Sequence, residues 1–136
     1  MAEPIHGSCV CGAVRFRVET PFSMFQYCHC SRCRKQSGSA HATNIFVPVA
    51  QFAWESGEER VRCFALPTAK YWQSGFCTHC GSAMPWVVKS GKSVVVPAGA
   101  LDGDPGEKPR RNVFFGSRAP WYVHASELES HDTFPA

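Results

Sequence analysis

Clustered cysteines are the residues of this chain that could do chemistry. The 136 residues include eight cysteines, and seven of these lie in three short groups. The groups are Cys9 and Cys11 in GSCVCG, Cys28, Cys30 and Cys33 in CHCSRC, and Cys77 and Cys80 in FCTHCG. Cysteines two or three residues apart can place their sulfur atoms roughly 3.8 Å from one another, which is the separation that tetrahedral zinc requires. The spacing therefore predicts metal binding.

Seven thiolates divide naturally into four and three. The pairing that we favour joins Cys9 and Cys11 to Cys77 and Cys80 in a closed site, and a zinc ion with four protein ligands is structural. The remaining group would hold a second ion through three sulfurs and leave its fourth coordination position free for a substrate. The sequence thus predicts one structural site and one open site.

The chemistry of an open site follows from its charge. Three thiolates outweigh one Zn²⁺, and Arg32, Arg34 and Lys35 are near enough in sequence to offset this negative charge or to attract an anionic small ligand. Thiolate ligands make a zinc-bound water a weaker acid than three histidines do, which disfavours hydrolysis. A soft, sulfur-rich site favours a further sulfur ligand instead. We therefore expect a thiol or a thiol adduct as the substrate.

Other interpretations of these residues stay open. A CxxC pair can be redox-active, and all seven cysteines could serve structural zinc if Cys63 or a histidine completed the second site. Cys63 alternates with Val61 and Ala65, which is more typical of a small buried residue in a strand. His29 and His79 lie between cysteines, where an extended backbone would point them away from a metal. Iron is also compatible with four thiolates.

Composition narrows the class of protein. The chain has a formal charge of +3, 44% hydrophobic residues and 18% charged residues, as a folded globular domain does. The positive charge is too small and too dispersed for a nucleic-acid surface, and no apolar run reaches the roughly 20 residues of a membrane helix. The start MAEPIHGSC lacks the features of a secretory signal. We expect one domain over residues 1–136, a cytoplasmic location, and metal sites rather than disulfides in that reducing compartment.

Short strands must position the cysteine groups. Apolar and polar residues alternate in several segments, a pattern that is typical of strands with one exposed face. These segments are 13–18, 43–49, 60–66, 93–98, 112–116 and 120–125. Helical signal is confined to one turn after Cys33 and to a capping box of Ser126 and Glu129, and the Gly- and Pro-rich segment 99–111 predicts a long surface loop. The chain should be mainly β, with its four tryptophans in the core or in a pocket wall.

The cysteine motifs together resemble a known family. GSCVCGAVRF, CHCSRCRKQSGS, FCTHCGSAM and PRRNVFFGSRAPW are similar to motifs of the glutathione-dependent formaldehyde-activating enzymes, also called the Gfa or CENP-V-like family, over about residues 7–121. The resemblance implies an Mss4-like β fold with two small antiparallel sheets, very short helices and two zinc ions per chain. It also implies that the structural zinc binds the four-cysteine group and that the catalytic zinc binds Cys28, Cys30 and Cys33, in agreement with the division above.

The same resemblance implies a reaction. Members of the family form S-hydroxymethylglutathione from formaldehyde and glutathione, which is a carbon–sulfur lyase reaction in reverse, with zinc holding the glutathione sulfur. Arg32, Arg34 and Lys35 are then the candidates that bind the carboxylates of glutathione or of its adduct, in a monomer or a homodimer. Asn112 stands where many relatives carry histidine, and this departure bears on proton transfer.

Two further interpretations compete with a lyase. The chain could be a non-catalytic zinc-binding module for a protein partner or an anionic small ligand, and would then expose an apolar patch near Trp121 or Phe134. It could also be a zinc site that releases its metal when its thiolates are oxidised.

Overall fold

The computed structural model describes residues 3–135, which form a mainly β protein with one α-helix, as the sequence predicts. In chain order the strands are β1 (Ile5–Ser8), β2 (Arg15–Val18), β3 (Met24–Cys28), β4 (Ala42–Pro48), β5 (Phe52–Ser56), β6 (Val61–Ala65), β7 (Gln73–Cys77), β8 (Ala83–Met84), β9 (Trp86–Val87), β10 (Ser93–Pro97) and β11 (Arg111–Val113). The helix is α1 (Ser31–Ser37), and 3₁₀ turns lie at Val49–Gln51, Glu58–Arg60, Ala98–Ala100, Phe115–Ser117 and Ala125–Glu127. Within residues 3–135, no helix has the length and hydrophobicity of a membrane span.

The strands form three small sheets. Two are antiparallel and three-stranded, with the orders β1-β2-β5 and β6-β7-β8, and the third has the order β11-β3-β4-β10-β9. The third sheet is antiparallel except that β11 runs parallel to β3, with Asn112 opposite Tyr27 and Val113 opposite Cys28. The resemblance implied two antiparallel sheets. The structure has three sheets. One of them is mixed, because the chain returns beside β3 after its long loop and pairs with it in parallel.

All three sheets contribute side chains to the main core. In β2, the side chains of Phe16 and Val18 are buried and the two arginines are exposed, which is the alternation that the sequence predicts for a strand with one exposed face. Cys9 and Cys77 belong to the same buried cluster as these residues. Two members of the four-cysteine group are therefore part of the core, whereas Cys80 is half-buried and Cys11 is exposed.

The predicted loop at 99–111 is irregular but anchored. The 3₁₀ turn Ala98–Ala100 overlaps the start of this segment. Beyond that turn, no strand or helix of the described chain begins before β11. The Ser8 hydroxyl donates to both carboxylate oxygens of Asp102, at 2.9 and 3.0 Å. The backbone N–H of Phe22 donates to a carboxylate oxygen of Glu107 at 3.0 Å. These bonds hold the loop beside β1 and the start of β3, and so direct β11 to its place in the sheet.

The C-terminal segment differs from its predicted structure. Segment 120–125 forms no strand, because none of the three sheets pairs with it. Trp121 is consequently 65% exposed and does not lie in the core. In the following 3₁₀ turn the Glu127 carboxylate accepts the capping hydrogen bond from the backbone, so the predicted box of Ser126 and Glu129 was wrong.

Two cysteine-bearing segments also differ from expectation. Cys63 is exposed and not buried, because β6 is an edge strand that pairs only with β7. Helix α1 begins at Ser31, before Cys33, because Cys30 acts as the N-cap: its backbone is extended and its sulfur accepts a hydrogen bond from the backbone N–H of Cys33 at 3.4 Å.

Replacing Gly57 with alanine should destabilise the protein more than the same change at Gly91. Both glycines have φ of +76°, so each alanine carries a penalty of about 1 kcal/mol for left-handed backbone. A methyl group at Gly57 would also collide with the backbone carbonyl of Ala13, whereas nothing lies within 4 Å of that position at Gly91. We expect urea denaturation to show losses of about 2–4 kcal/mol for Gly57→Ala and about 1 kcal/mol for Gly91→Ala. Equal losses would contradict the close contact at Ala13.

Candidate functional site

Three cysteines converge where β3 ends and α1 begins. Cys28 is the last residue of β3, Cys30 caps α1, and Cys33 lies in the first turn of the helix. Their sulfur atoms all lie within 4.8 Å of one another. Cys28 and Cys33 are buried and Cys30 is half-buried. A strand end followed by a short helix therefore points three sulfur donors at one position.

The described chain supplies no fourth ligand to this cluster. Among residues 3–135, no other cysteine, histidine, aspartate or glutamate has a ligand atom that joins the three sulfurs at this separation. Cys63 and the histidines, which were the residues considered for completing the site, are not in the group. The neighbouring apolar side chains are Ala42, Trp72 and Val113, which pack against the cysteines.

The three thiols oppose one another electrostatically. A hydrogen bond from the Cys33 thiol lowers the pKa of Cys28 to about 6. Donating that hydrogen bond raises the pKa of Cys33 far above its ordinary value, and burial and the charge of the Cys28 thiolate raise it further. The first thiolate forms readily, but its negative charge opposes ionisation of the next thiol. A cation at the centre would remove this opposition, so this donor set fits a metal ion.

The four-cysteine group joins two distant turns. Cys9 and Cys11 follow β1, Cys77 ends β7, and Cys80 lies in the next turn, with all four sulfurs within 4.8 Å of one another. The sulfur of Cys11 is 3.5 Å from that of Cys9 and 4.0 Å from that of Cys77, which is 66 residues away. Hydrogen bonds from Ser82 lower the pKa of Cys80 to about 5. Four sulfurs near the separation expected of tetrahedral ligands also fit a metal ion.

His29 lies between two of the cysteines in the sequence, but it is not part of their cluster. Its side chain is fully buried, and its Nε2–H donates to Oδ1 of Asn112 at 2.8 Å. Its Nδ1 has no hydrogen-bond partner among the described residues. The rings of His41, Phe115 and Tyr122 surround it, with centroids 5.0, 5.0 and 5.3 Å away. Asn112 is thus the hydrogen-bond partner of a buried imidazole.

The basic residues near the open cluster face different ways. Arg32 and Lys35 line a groove of about 390 Å³, whereas Arg34 does not. Residues three apart, such as Arg32 and Lys35, share a face of a helix, whereas residues one or two apart do not, which separates Arg34 from the other two. The Nε of Arg34 is buried and has no hydrogen-bond partner in the described chain. The structure brings two of the three predicted substrate-binding residues to one groove, and their role stays a prediction.

The rest of that groove was not apparent in the sequence. Its other lining residues are Gln36, Phe64, Leu66, Trp72 and Ser74. Trp72 was expected in the core or in a pocket wall, and the structure places it in this wall. Phe64 and Leu66 carried only the signal of a strand. Nothing local could show that β6 and the turn after it lie opposite a helix some 30 residues earlier.

Comparisons with known proteins match the region that carries both cysteine groups. A family profile described as glutathione-dependent formaldehyde-activating enzyme matches residues 4–117. A Halomonas elongata protein with the provisional name glutathione-dependent formaldehyde-activating enzyme is 34% identical over 135 residues, which cover 94% of this chain and 83% of that protein. A Rhodobacter sphaeroides protein of known crystal structure has a TM-score of 0.60 and 27% identity, over 77% of this chain and 98% of that one.

Replacing Asn112 with alanine should destabilise the buried histidine. The change leaves both ring nitrogens of His29 without a partner, and an unpaired buried donor costs about 1–3 kcal/mol. Asn44→Ala is the matched control, since Asn44 also lies in a strand and makes no side-chain hydrogen bond within the described residues. We expect urea denaturation to show a loss of that size only for Asn112→Ala. Similar losses for both variants would contradict a specific role for Asn112.

Replacing Cys77 with serine should remove one of two bound metal ions. The loss should also lower the free energy of unfolding by at least about 3 kcal/mol, because a structural site contributes its binding energy to folding. Cys63→Ser is the matched control, since Cys63 is exposed and lies outside both groups. Metal analysis and denaturation of the purified variants test this. A Cys77→Ser protein that keeps both ions and full stability would contradict the four-cysteine site.

Proposed function

The chain belongs to the glutathione-dependent formaldehyde-activating enzyme family, and from that premise we propose that it makes or breaks the carbon–sulfur bond of a glutathione–aldehyde adduct. One observation carries the proposal. Cys28, Cys30 and Cys33 bring three sulfurs together, and the described chain adds no fourth ligand to them. A donor set of this kind can accept the sulfur of a substrate.

We propose zinc for both cysteine groups, giving two ions per chain. Cys9, Cys11, Cys77 and Cys80 would hold the structural ion, and the three-cysteine cluster would hold the other. The chemistry that zinc supplies when bound at the open cluster is to keep a substrate sulfur deprotonated and to polarise the adduct. Support for the assignment comes from the sulfur separations in each group and from the opposed pKa values of Cys28 and Cys33.

The side chains around the cluster would bind and orient the adduct. Trp72 and Val113 pack against the cysteines and exclude water from one side of the cluster. Arg32 and Lys35 line the adjoining groove, where they would bind the two carboxylates of glutathione. Arg34 would contribute only positive charge, because it does not line the groove.

The reaction needs no oxidant or reductant. In the direction of synthesis, the thiol sulfur bonds to the carbonyl carbon of the aldehyde, and the thiol proton ends on the former carbonyl oxygen. In the lyase direction the same bonds are reversed. Asn112 would not move that proton, because an amide does not titrate near pH 7. Its role would be to hold His29, and with it the turn between Cys28 and Cys30.

The remaining partner and location predictions are part of the same proposal. We propose glutathione or its adduct as the small-molecule partner and a cytoplasmic location, where glutathione keeps thiols reduced. We also propose that residues 1–136 are one domain and that the protein is a monomer or a homodimer.

A non-catalytic zinc module is the second candidate function. The observation that favours it is the exposure of large apolar side chains near the C-terminus, where Trp121 is 65% and Phe134 is 92% exposed. A contiguous patch of such side chains would be typical of a surface that binds a protein partner. Metal-loaded protein that turned over no glutathione–aldehyde adduct would favour this candidate over the lyase.

Replacing Cys30 with serine tests the open cluster directly. The half-buried Cys30 supplies one of only three sulfurs, so we expect turnover to fall at least about 100-fold, one metal ion to be lost, and the fold to be retained. Exchange spectroscopy of S-hydroxymethylglutathione with formaldehyde and glutathione measures turnover, and circular dichroism measures the fold. Cys63→Ser serves as the control with unchanged activity. A fully active Cys30→Ser protein would contradict the proposal.

A further inference from the structure

The groove beside the open cluster is larger and more apolar than the smallest aldehyde requires. Its volume of about 390 Å³ falls within the range of about 300–1,000 Å³ that is usual for small-molecule sites. Most of its lining surface is apolar, and its lining residues include the apolar side chains of Phe64, Leu66 and Trp72. Formaldehyde adds one carbon to glutathione, so its hydroxymethyl adduct leaves this apolar wall without a matching group.

Phe64, which forms part of this apolar wall, does not serve the folded core. Phe64 is 50% exposed and belongs to neither buried cluster of the described chain, and it lies on the edge strand β6. Leaving an aromatic ring of this kind in water forgoes the stabilisation that its burial would give. A ligand that covers the ring would recover that stabilisation.

The groove is also connected to the proposed reaction site. Trp72 packs against the three-cysteine cluster and also lines the groove, so this one side chain connects the two. Arg32 and Lys35 lie on its helical side, and no acidic residue lines the groove or pairs with either cation among the described residues. The site thus combines two cations, which match the carboxylates of glutathione, with an apolar wall, which matches nothing in glutathione.

We propose that this groove binds an apolar substituent on the aldehyde-derived carbon, so that the preferred adducts are those of glutathione with larger apolar aldehydes. This inference rests on the proposed function, since it assigns the substituent to the adduct formed at the same cluster. The bond changes are those given for the smaller adduct: sulfur bonds to the carbonyl carbon, and the thiol proton ends on oxygen. The substituent itself takes no part in bond making or breaking.

Two thioethers test the inference without requiring turnover. S-hexylglutathione and S-methylglutathione share the tripeptide and differ only in the length of an inert apolar chain. Calorimetric titration of the metal-loaded protein should show that the hexyl compound binds about tenfold or more tightly, because partial burial of the added methylenes is sufficient for such a factor. Phe64→Ala and Leu66→Ala should each reduce this preference to about threefold or less, with little change in affinity for the methyl compound.

Phe134→Ala is the matched control, because it removes an aromatic ring that is 92% exposed and lies outside the groove. This variant should keep the wild-type preference. A ratio of affinities near one, no binding of either thioether, or a preference that survives both groove substitutions would each overturn the inference.

The experiment separates this inference from the proposed function. Turnover of the formaldehyde adduct together with equal thioether affinities would support the lyase and overturn the groove assignment. A tenfold preference that depends on Phe64, with no turnover of any adduct, would support the groove assignment and contradict the lyase.

Discussion

Repulsion between neighbouring thiolates is the constraint on which the rest of this structure depends. The sulfurs of each cysteine group lie within 4.8 Å of one another, a distance at which like charges strongly oppose ionisation. Cys28 and Cys33 show the conflict, since the pKa of the first is lowered and that of the second is raised. A cation among the sulfurs converts this repulsion into attraction. Metal binding at either group would therefore be coupled to folding.

The two groups differ in the way that a structural site and a substrate site should differ. Cys9 and Cys77 belong to the main core, and the four-sulfur group ties together two turns that are 66 residues apart. The three-sulfur group comes from one continuous segment and packs in a smaller cluster against Trp72 and Val113. The four-sulfur group therefore links distant parts of the fold. The three-sulfur group instead shares Trp72 with the neighbouring groove.

The open cluster depends on what surrounds β3 and α1. Strand β11 pairs with β3 and brings Asn112 to the buried ring of His29, while the backbone N–H of His29 donates to the carbonyl of Val113 at 3.0 Å. Helix α1 directs Cys33 inward and Arg32 and Lys35 toward the groove. A helix of seven residues thus turns Cys33 toward the cysteine cluster on one face and two cationic side chains toward the groove on another.

The local patterns of the sequence determined several strands and the three short cysteine motifs. Alternating residues predicted β2, β4, β6 and β10, and CxC and CxxC spacings predicted which neighbouring sulfurs could share an ion, because both patterns depend on near neighbours in the chain. The fold itself brings Cys9 and Cys11 to Cys77 and Cys80. Tertiary structure decided the parallel pairing of β11, the bond between His29 and Asn112, the exposure of Cys63 and the groove between α1 and β6. Each of these depends on contact between residues some 30 or more positions apart, or on which strand occupies the edge position of a sheet. Spacing along the chain carries no information about such contacts, since they are decided by how the three sheets pack together.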